Sequence, residues 1–468
     1  MGEARSAEVQ LPASALRTGR ERAADTSHQA LPAGQGVVGL ELSVLLFVKG
    51  DEPGFVDGLA RTERVLAKIE PRHEIVVVDL GVGAAARAAI ERHGVRLLGP
   101  FADYASGFWA GVDGTSGRYL ATLDGRLSRD PYFLINLWAA RHQAELVVAS
   151  RFVPGGIFQA SLPYRVASRG LNRWIAAVLS LEYRDLTSAL RLYRRSVLAE
   201  ARPWSSARSY DLLPELVVLV HGLGWRVLEV PYCSSVHSVG RGVASGAEVA
   251  GPCLAGLWRM WKLRNSVFSA DYDDRAFNSR IWPQRWWQRR RFRLIVGFVE
   301  TPEDLLDVGC GSSKIIQAYP GAVGIDIQLK KLRFLHKRNM FLAVGSAYRL
   351  PVTSERFKTV ICSEVIEHIP YSEELFAELA RVLRPGGVLI LGTPDYGRPW
   401  WPAIEWVYSK VHPKGYVGEH ITHYTHRKIV TLLERQGLVV EQERYICRAE
   451  LVIKARKVKK GISPISVA

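Results

Sequence analysis

Cysteine is scarce in this 468-residue chain: there are five, Cys233, Cys253, Cys310, Cys362 and Cys447. The number is odd and no two stand at C-x-x-C spacing. A disulfide framework and a zinc knuckle are therefore argued against, and a reducing compartment fits. Long apolar runs are also missing. The richest stretch, 212–231, is broken by Pro214, Glu215, His221 and Arg226, so no segment offers the roughly 20 apolar residues of a membrane span. Residues 1–30 hold no continuous apolar core and do not read as a secretory signal. These absences predict a cytoplasmic protein, with peripheral contact at the inner face of a membrane left open. Acidic residues are the minority charge: 46 Asp+Glu stand against 62 Lys+Arg, a formal +16. That surplus attracts nucleic acid, anionic lipid or anionic metabolites and does not choose among them.

What is present is the composition of a folded protein, with 48% hydrophobic and 23% charged residues. Such a length suggests about three domains and allows two. Residues 1–38 read as a disordered tail. From Glu41 onward, short Val/Leu/Ile runs alternate with helical segments: 42–48, 74–80, 118–124, 144–150 and 224–231, with a helix over 53–69. Strands alternating with helices predict a parallel, doubly wound α/β sheet. The Gly/Ser-rich stretch 234–251 reads as a loop closing the first domain. An amphipathic basic helix follows over 254–268, then the Trp- and Arg-rich tract 281–298. A second α/β pattern has strands at 305–308, 322–326, 359–364 and 387–393, with an amphipathic helix over 372–383. The expected division is a tail 1–38, a first domain 39–248, linker helices 249–296, a second domain 297–456 and a basic tail 457–468.

The sharpest motif is Leu305-Leu-Asp-Val-Gly-Cys-Gly-Ser-Ser-Lys314. Asp307 ends a strand, and Gly309 and Gly311 turn the backbone tightly without a Cβ in the way of a ligand. Nineteen residues beyond Asp307 stands Asp326, a carboxylate placed to accept bonds from a ribose diol. NAD, FAD and S-adenosylmethionine all fit this much. The third glycine of G-x-G-x-x-G is missing, which weakens a pyrophosphate cradle. Over 305–443 the segments LLDVGCGSS, VGIDI, VGSAYRLPVTSERFKTVICSEVIEHI and LARVLRPGGVLILGTPD resemble the class I S-adenosylmethionine-dependent methyltransferases of the type 11 branch. The resemblance implies a Rossmann-like fold and that cofactor. It places Asp307, Gly309, Cys310 and Gly311 at the cofactor's amino-acid end. Asp326 and Ile327 then lie at the ribose, Ser346 and Ala347 at the adenine, and Ser363 beside the sulfonium. Ser346 departs from the family's usual Asp.

Glu364, Glu367 and His368 form E-x-x-E-H. On a helix, spacings of i, i+3 and i+4 share one face, where two carboxylates and an imidazole supply a base or bind a divalent ion, Mg²⁺ or Mn²⁺. The motif resembles that of quinone-biosynthesis O-methyltransferases, whose members can use a metal there; a structural role is the other reading. A second cluster, Glu419, His420, His423 and His426, faces the acceptor in the family's arrangement, or else begins a surface helix capped by Thr425. Trp400, Trp401 and Trp406 either line the acceptor pocket or simply pack.

Residues 41–240 resemble family-2 glycosyltransferases of the polyprenyl- or dolichol-phosphate sugar synthase type, through LSVLLF, EIVVVDLG, GRYLATLDGRLSRDPYFL, VVASRF, DLTSALRLYRRSVL and WRVLEVPY. A GT-A-like nucleotide-sugar fold is implied, with Asp79, Asp124, Arg126 and Arg151 at the donor site. Several expected residues are altered. Asp124 keeps the first Asp of the metal-binding D-x-D, but Arg126 replaces the second, so the metal is either held by Asp124 or replaced by arginine. The uracil segment is reduced to Val78-Asp79-Leu80-Gly81-Val82, and the late Arg-x-x-Gly to His237-x-x-Gly240. Sugar transfer is therefore expected to be impaired, leaving a binding module, with an active bifunctional enzyme as the alternative. A wholly non-catalytic recruitment protein is the reading from another class. The fusion implies a small-molecule, saccharide or lipid-linked saccharide acceptor. The Trp/Arg linker reads as an interdomain packing helix, an anionic membrane contact or, least favoured, a nucleic-acid contact.

Overall fold

The structure, a computed structural model, describes residues 39–51, 55–124, 131–234, 246–336, 340–411 and 420–459. From Leu40 onward these residues belong to one compact unit built on two seven-stranded sheets.

The first sheet contains β1 (Leu42–Gly50), β2 (His73–Val82), β3 (Arg96–Leu98), β4 (Tyr119–Asp124), β5 (Leu146–Ser150), β7 (Arg191–Arg194) and β8 (Val227–Pro231). The short strands β6 (Ile157–Phe158) and β9 (Cys233–Ser234) pair separately. The order is β3-β2-β1-β4-β7-β5-β8. In β1, Leu45 and Phe47 enter one hydrophobic core while Leu42, Val44, Leu46 and Val48 enter another. Both faces are thus covered, and the strand reads as an unbroken apolar run rather than an alternating one.

The second sheet contains β10 (Leu305–Val308), β11 (Val323–Asp326), β12 (Phe341–Val344), β13 (Phe357–Ser363), β14 (Leu383–Pro394), β15 (Leu438–Ile446) and β16 (Glu450–Lys457). Its order is β12-β11-β10-β13-β14-β16-β15. Val360, Cys362, Leu389 and Leu391 face one core, and Ile361, Val388 and Ile390 the other.

The expectation of a parallel sheet in the first half needs correction, and the second sheet is mixed as well. β7 runs antiparallel to β4 and β5, and β16 runs antiparallel to β14 and β15. β7 escapes a hydropathy reading because Arg191 lies in it, fully buried. Its guanidinium donates to the carbonyls of Ser188, Leu213 and Leu186 at 2.7, 2.6 and 2.8 Å, which satisfies the buried charge's donors.

The stretch assigned to a loop over 234–251 also needs correction, because a helix begins at Gly246 and runs to Arg264 with Pro252 inside it. Its Cys253, Leu257 and Met260 join the first core. The helix Trp282–Phe298 instead buries Ile295 and Phe298 with Leu305 and Ile390 of the second. The linker is therefore divided between the two cores. The halves also meet directly. Arg333 pairs with Glu200 at 2.7 Å and lies 3.8 Å over the ring of Trp225. No helix among the described residues is long and apolar enough to cross a membrane.

Candidate functional site

The second sheet's order reverses between β10 and its neighbours β11 and β13, the place where open α/β sheets bind ligands. β10 ends there in the glycine turn. Gly309 and Gly311 have φ of +67° and +53°. A Cβ on Gly309 would lie 2.3 Å from Val365 Cγ2, and one on Gly311 2.5 Å from Asp273 Oδ2. Only glycine suits both the conformation and the space. Gly309 N–H donates to the Ile325 carbonyl at 2.7 Å. Gly311 N–H donates to Asp326 Oδ2 at 2.8 Å, and Gln328 N–H to Asp326 Oδ1 at 2.7 Å. Asp326 thus shapes the turn as well as ending β11.

Asp307 is 3% exposed, and its Oδ2 has no hydrogen-bond partner. Burial, with Asp326 nearby, pushes this carboxyl up to about 8. An orphaned buried carboxyl at the glycine turn suits a cationic ligand bearing N–H donors. The α-ammonium of S-adenosylmethionine supplies such a donor, and the ribose diol fits Asp326. Cys310 is buried with its thiol held well up by burial, so it offers backbone rather than nucleophile. Ile327 is 70% exposed at the end of β11. Ser346 bridges to Arg349 just past β12 and Ala347 packs at the edge of the core. Ser363 Oγ is buried and unpartnered.

The E-x-x-E-H segment does not lie on one helical face. Glu364 follows β13 with φ +57°, and only Ile366–His368 form a single 3₁₀ turn. Glu364 Oε2 instead accepts from Arg291 Nη2 at 2.8 Å. Arg291 also donates to both oxygens of the fully buried Glu450, at 2.5 and 2.6 Å, and Trp287 Nε1 donates to the same carboxylate. The metal set of Glu364, Glu367 and His368 is thereby corrected. Among the described residues, Glu367 and His368 are joined by His420, their ligand atoms lying within 4.8 Å of one another.

Glu367 is fully buried. Its Oε2 accepts from Thr393 Oγ1 at 3.0 Å, and its Oε1 lies 3.9 Å from His368 Nε2. Burial raises this carboxyl to about 7. The His368 and His420 rings are 4.9 Å apart. His420 Nδ1 is 2.7 Å from the Tyr396 hydroxyl, which donates to Glu405 Oε2 at 3.2 Å. Burial, then His368 and His423, lower His420 to about 4. His423 is exposed and stacks on Tyr396 at 4.0 Å. Trp401 lies 5.8 Å from His420 and 6.1 Å from Trp287, while Trp400 and Trp406 remain exposed. Thr425 caps the helix His426–Arg435, and Glu419 lies outside the described residues. Arg291, Trp287, Tyr396 and Glu405 were not singled out as site residues from sequence. The Trp/Arg density of 281–298 was the only signal for the first two.

In the first half, Asp79 is committed locally. Its Oδ1 accepts from the N–H groups of Gly81 and Val82 at 2.8 and 2.7 Å, and Oδ2 pairs with Arg87 at 2.8 Å. Arg151 forms a bidentate pair with buried Asp185, at 2.8 and 2.7 Å. Asp124 ends β4. Arg126, His237 and Gly240 lie outside the described residues.

Residues 306–391 match the family described as a methyltransferase domain. The C-terminal half contains a methyltransferase domain. A domain of this family implies S-adenosylmethionine as cofactor. The ubiquinone biosynthesis O-methyltransferase of Alkalilimnicola ehrlichii is 33% identical over 100 residues, 19% of this chain and 40% of that protein. The dodecaprenyl-phosphate galacturonate synthase of Rhizobium johnstonii is 27% identical over 178 residues, 36% of this chain and 51% of that protein. The chain thus spans about half, or less, of the length of these curated relatives. A SAM-dependent methyltransferase of Methanosarcina mazei has a solved structure that is 19% identical, with a TM-score of 0.30, covering 36% of this chain and 98% of that one.

Proposed function

We propose that the chain transfers a methyl group from S-adenosylmethionine to a hydroxyl of a saccharide or lipid-linked saccharide, and that its first half is a glycosyltransferase-like module with impaired sugar transfer. The observation that carries this reading is the buried, unpartnered Asp307 carboxyl at the glycine turn. Asp307 and the glycine turn would hold the cofactor's amino-acid end, and Asp326 its ribose. When bound, the cofactor supplies an electrophilic methyl group on a sulfonium. His368, one-third exposed, takes the acceptor's hydroxyl proton at Nε2, and Glu367 Oε1 stabilises the imidazolium that results. Tyr396 and Glu405 fix the orientation of His420. Trp401 and Trp287 offer flat apolar faces against which a sugar ring packs. The impaired first half rests on Arg126 in place of an acid and on the internal pairing of Arg151 with Asp185.

Full-length protein titrated with S-adenosylhomocysteine, followed by a methyl-release assay over free sugars and polyprenyl-phosphate sugars, tests the reading. Binding with turnover supports it. Binding without turnover on any acceptor favours a non-catalytic recruitment protein, and no binding removes the methyltransferase reading.

A second arrangement of the same site is favoured by the clustering of Glu367, His368 and His420, which suits a divalent ion. Two imidazoles favour Mn²⁺ over Mg²⁺. Turnover that EDTA abolishes and Mn²⁺ restores selects it. A second reading of the first half, active sugar transfer, draws on the likeness to the Rhizobium synthase. It predicts sugar-nucleotide hydrolysis that Asp124→Ala abolishes while methyl transfer survives.

A further inference from the structure

We propose that Asp273, from the linker between the two sheets, is a cofactor-binding residue that accepts a hydrogen bond from the α-ammonium of the methyl donor. The proposal rests on the cofactor reading above and assigns a residue outside the matched methyltransferase segment.

Asp273 lies in the short helix Tyr272–Phe277, well before β10. It is nevertheless built into the glycine turn. Its Oδ2 accepts from Ser312 N–H at 3.0 Å and Ser312 Oγ at 3.1 Å, and from Lys331 Nζ at 3.1 Å. Asp273 N–H in turn donates to Ser312 Oγ at 3.2 Å. The same oxygen occupies the space where a Gly311 Cβ would stand. The neighbouring Asp274 adds a second tie, to Lys314 at 2.7 Å. All the hydrogen bonds of the Asp273 side chain among the described residues fall on Oδ2, and the side chain is about one-third exposed, which leaves Oδ1 able to accept from a ligand.

The charge around the turn points the same way. Cys310, at its centre, has the carboxyl groups of Asp307, Asp326 and Asp273 and the ammonium of Lys331 as neighbours. The buried Asp307 Oδ2 has no hydrogen-bond partner among the described residues. A carboxyl group buried at the turn with an unsatisfied acceptor oxygen, beside Asp273 and Asp326, suits a cation that donates hydrogen bonds. The amino-acid end of the donor carries such a cation; its nucleoside end does not.

The test is calorimetry on the full-length protein with three ligands: S-adenosylhomocysteine, its desamino analogue and 5′-methylthioadenosine, which lacks the amino-acid end. Asp273→Asn keeps the shape and removes the charge. It is expected to weaken S-adenosylhomocysteine about tenfold and to leave 5′-methylthioadenosine unchanged. Wild type is expected to prefer S-adenosylhomocysteine over the desamino analogue, and the variant to lose most of that preference. Equal weakening of all three ligands would mean that Asp273 only props the turn, and would overturn the proposal. So would a wild type that binds the desamino analogue as tightly as the parent, a result that needs no variant to fold. Wild type that binds 5′-methylthioadenosine but gains nothing from the amino-acid end sinks this proposal alone; wild type that binds none of the three sinks the cofactor reading with it.

Discussion

Cofactor binding should release a proton, and the size of the effect follows from Asp307. In the ligand-free protein its carboxyl is raised to about 8 by burial and by Asp326. At pH 7 about nine-tenths of the molecules then carry the proton. A bound ammonium beside the unpartnered Oδ2 favours the ionised form and draws the group back toward the ordinary carboxylate range near 4. Each ligand bound at pH 7 should therefore expel about 0.9 proton, and affinity should rise about tenfold per pH unit from roughly pH 5 to 7 before levelling above about 8. Ligand-free stability moves the opposite way. The native state holds a proton that the unfolded chain has lost, so stability falls by about 1.4 kcal/mol per unit as pH rises from about 4 toward 8. The assay is calorimetric titration with S-adenosylhomocysteine at pH 7 in two buffers of small and large ionisation enthalpy. Asp307→Asn should remove the buffer dependence. Identical heats in both buffers for wild type, or an affinity flat across this range, would refute the reasoning and mean that the ligand does not reach Asp307.

Two further perturbations follow from the geometry. Arg291→Met should cost about 3–5 kcal/mol in denaturant unfolding, because it leaves buried Glu450 and half-buried Glu364 without their shared cation; a loss below about 1 kcal/mol would mean that the pair is solvated in solution. Gly224→Ala should lower the melting temperature and weaken cofactor binding together. Its φ is +80° and the added Cβ would lie 2.2 Å from the Lys330 carbonyl, in the segment that follows Asp326. The control Gly170→Ala, with open space around it, should be neutral or slightly stabilising.

Arg259 illustrates how the linker serves the first half as Arg291 serves the second. It pairs with buried Asp211 at 2.6 Å and Glu215 at 3.3 Å. Arg264 likewise pairs with Asp271, so three arginines of the basic tract are held by internal carboxylates, while Lys262 and Arg289 lie over the rings of Trp258 and Phe277. Trp258 and Trp282 of the same tract stay exposed.

Much of the architecture was legible in the residues. β1, β2, β10 and β13 are apolar runs, and a strand buried on both faces announces itself locally. The turn at Gly309 and Gly311 was equally legible, because a positive φ selects glycine whatever surrounds it. So was the cap at Thr425, whose hydroxyl needs only the N–H three residues on. The antiparallel strands β7 and β16 were not, since Arg191 and Lys454 interrupt their hydropathy; Arg191 is satisfied by the carbonyls of Ser188, Leu186 and Leu213, and Lys454 by Glu300, 154 residues away. The functional cluster shows the same division. Sequence put Glu364, Glu367 and His368 together by assuming a helix; tertiary structure turned Glu364 away to Arg291, 73 residues distant, and brought in His420. It also carried Asp273 to a turn 39 residues beyond it. Periodicity and turn chemistry are properties of neighbouring residues, so sequence alone determines them. Which carboxylate stays buried without a partner, and which is claimed by an arginine, depends on contacts across the fold, and only the packed chain decides it.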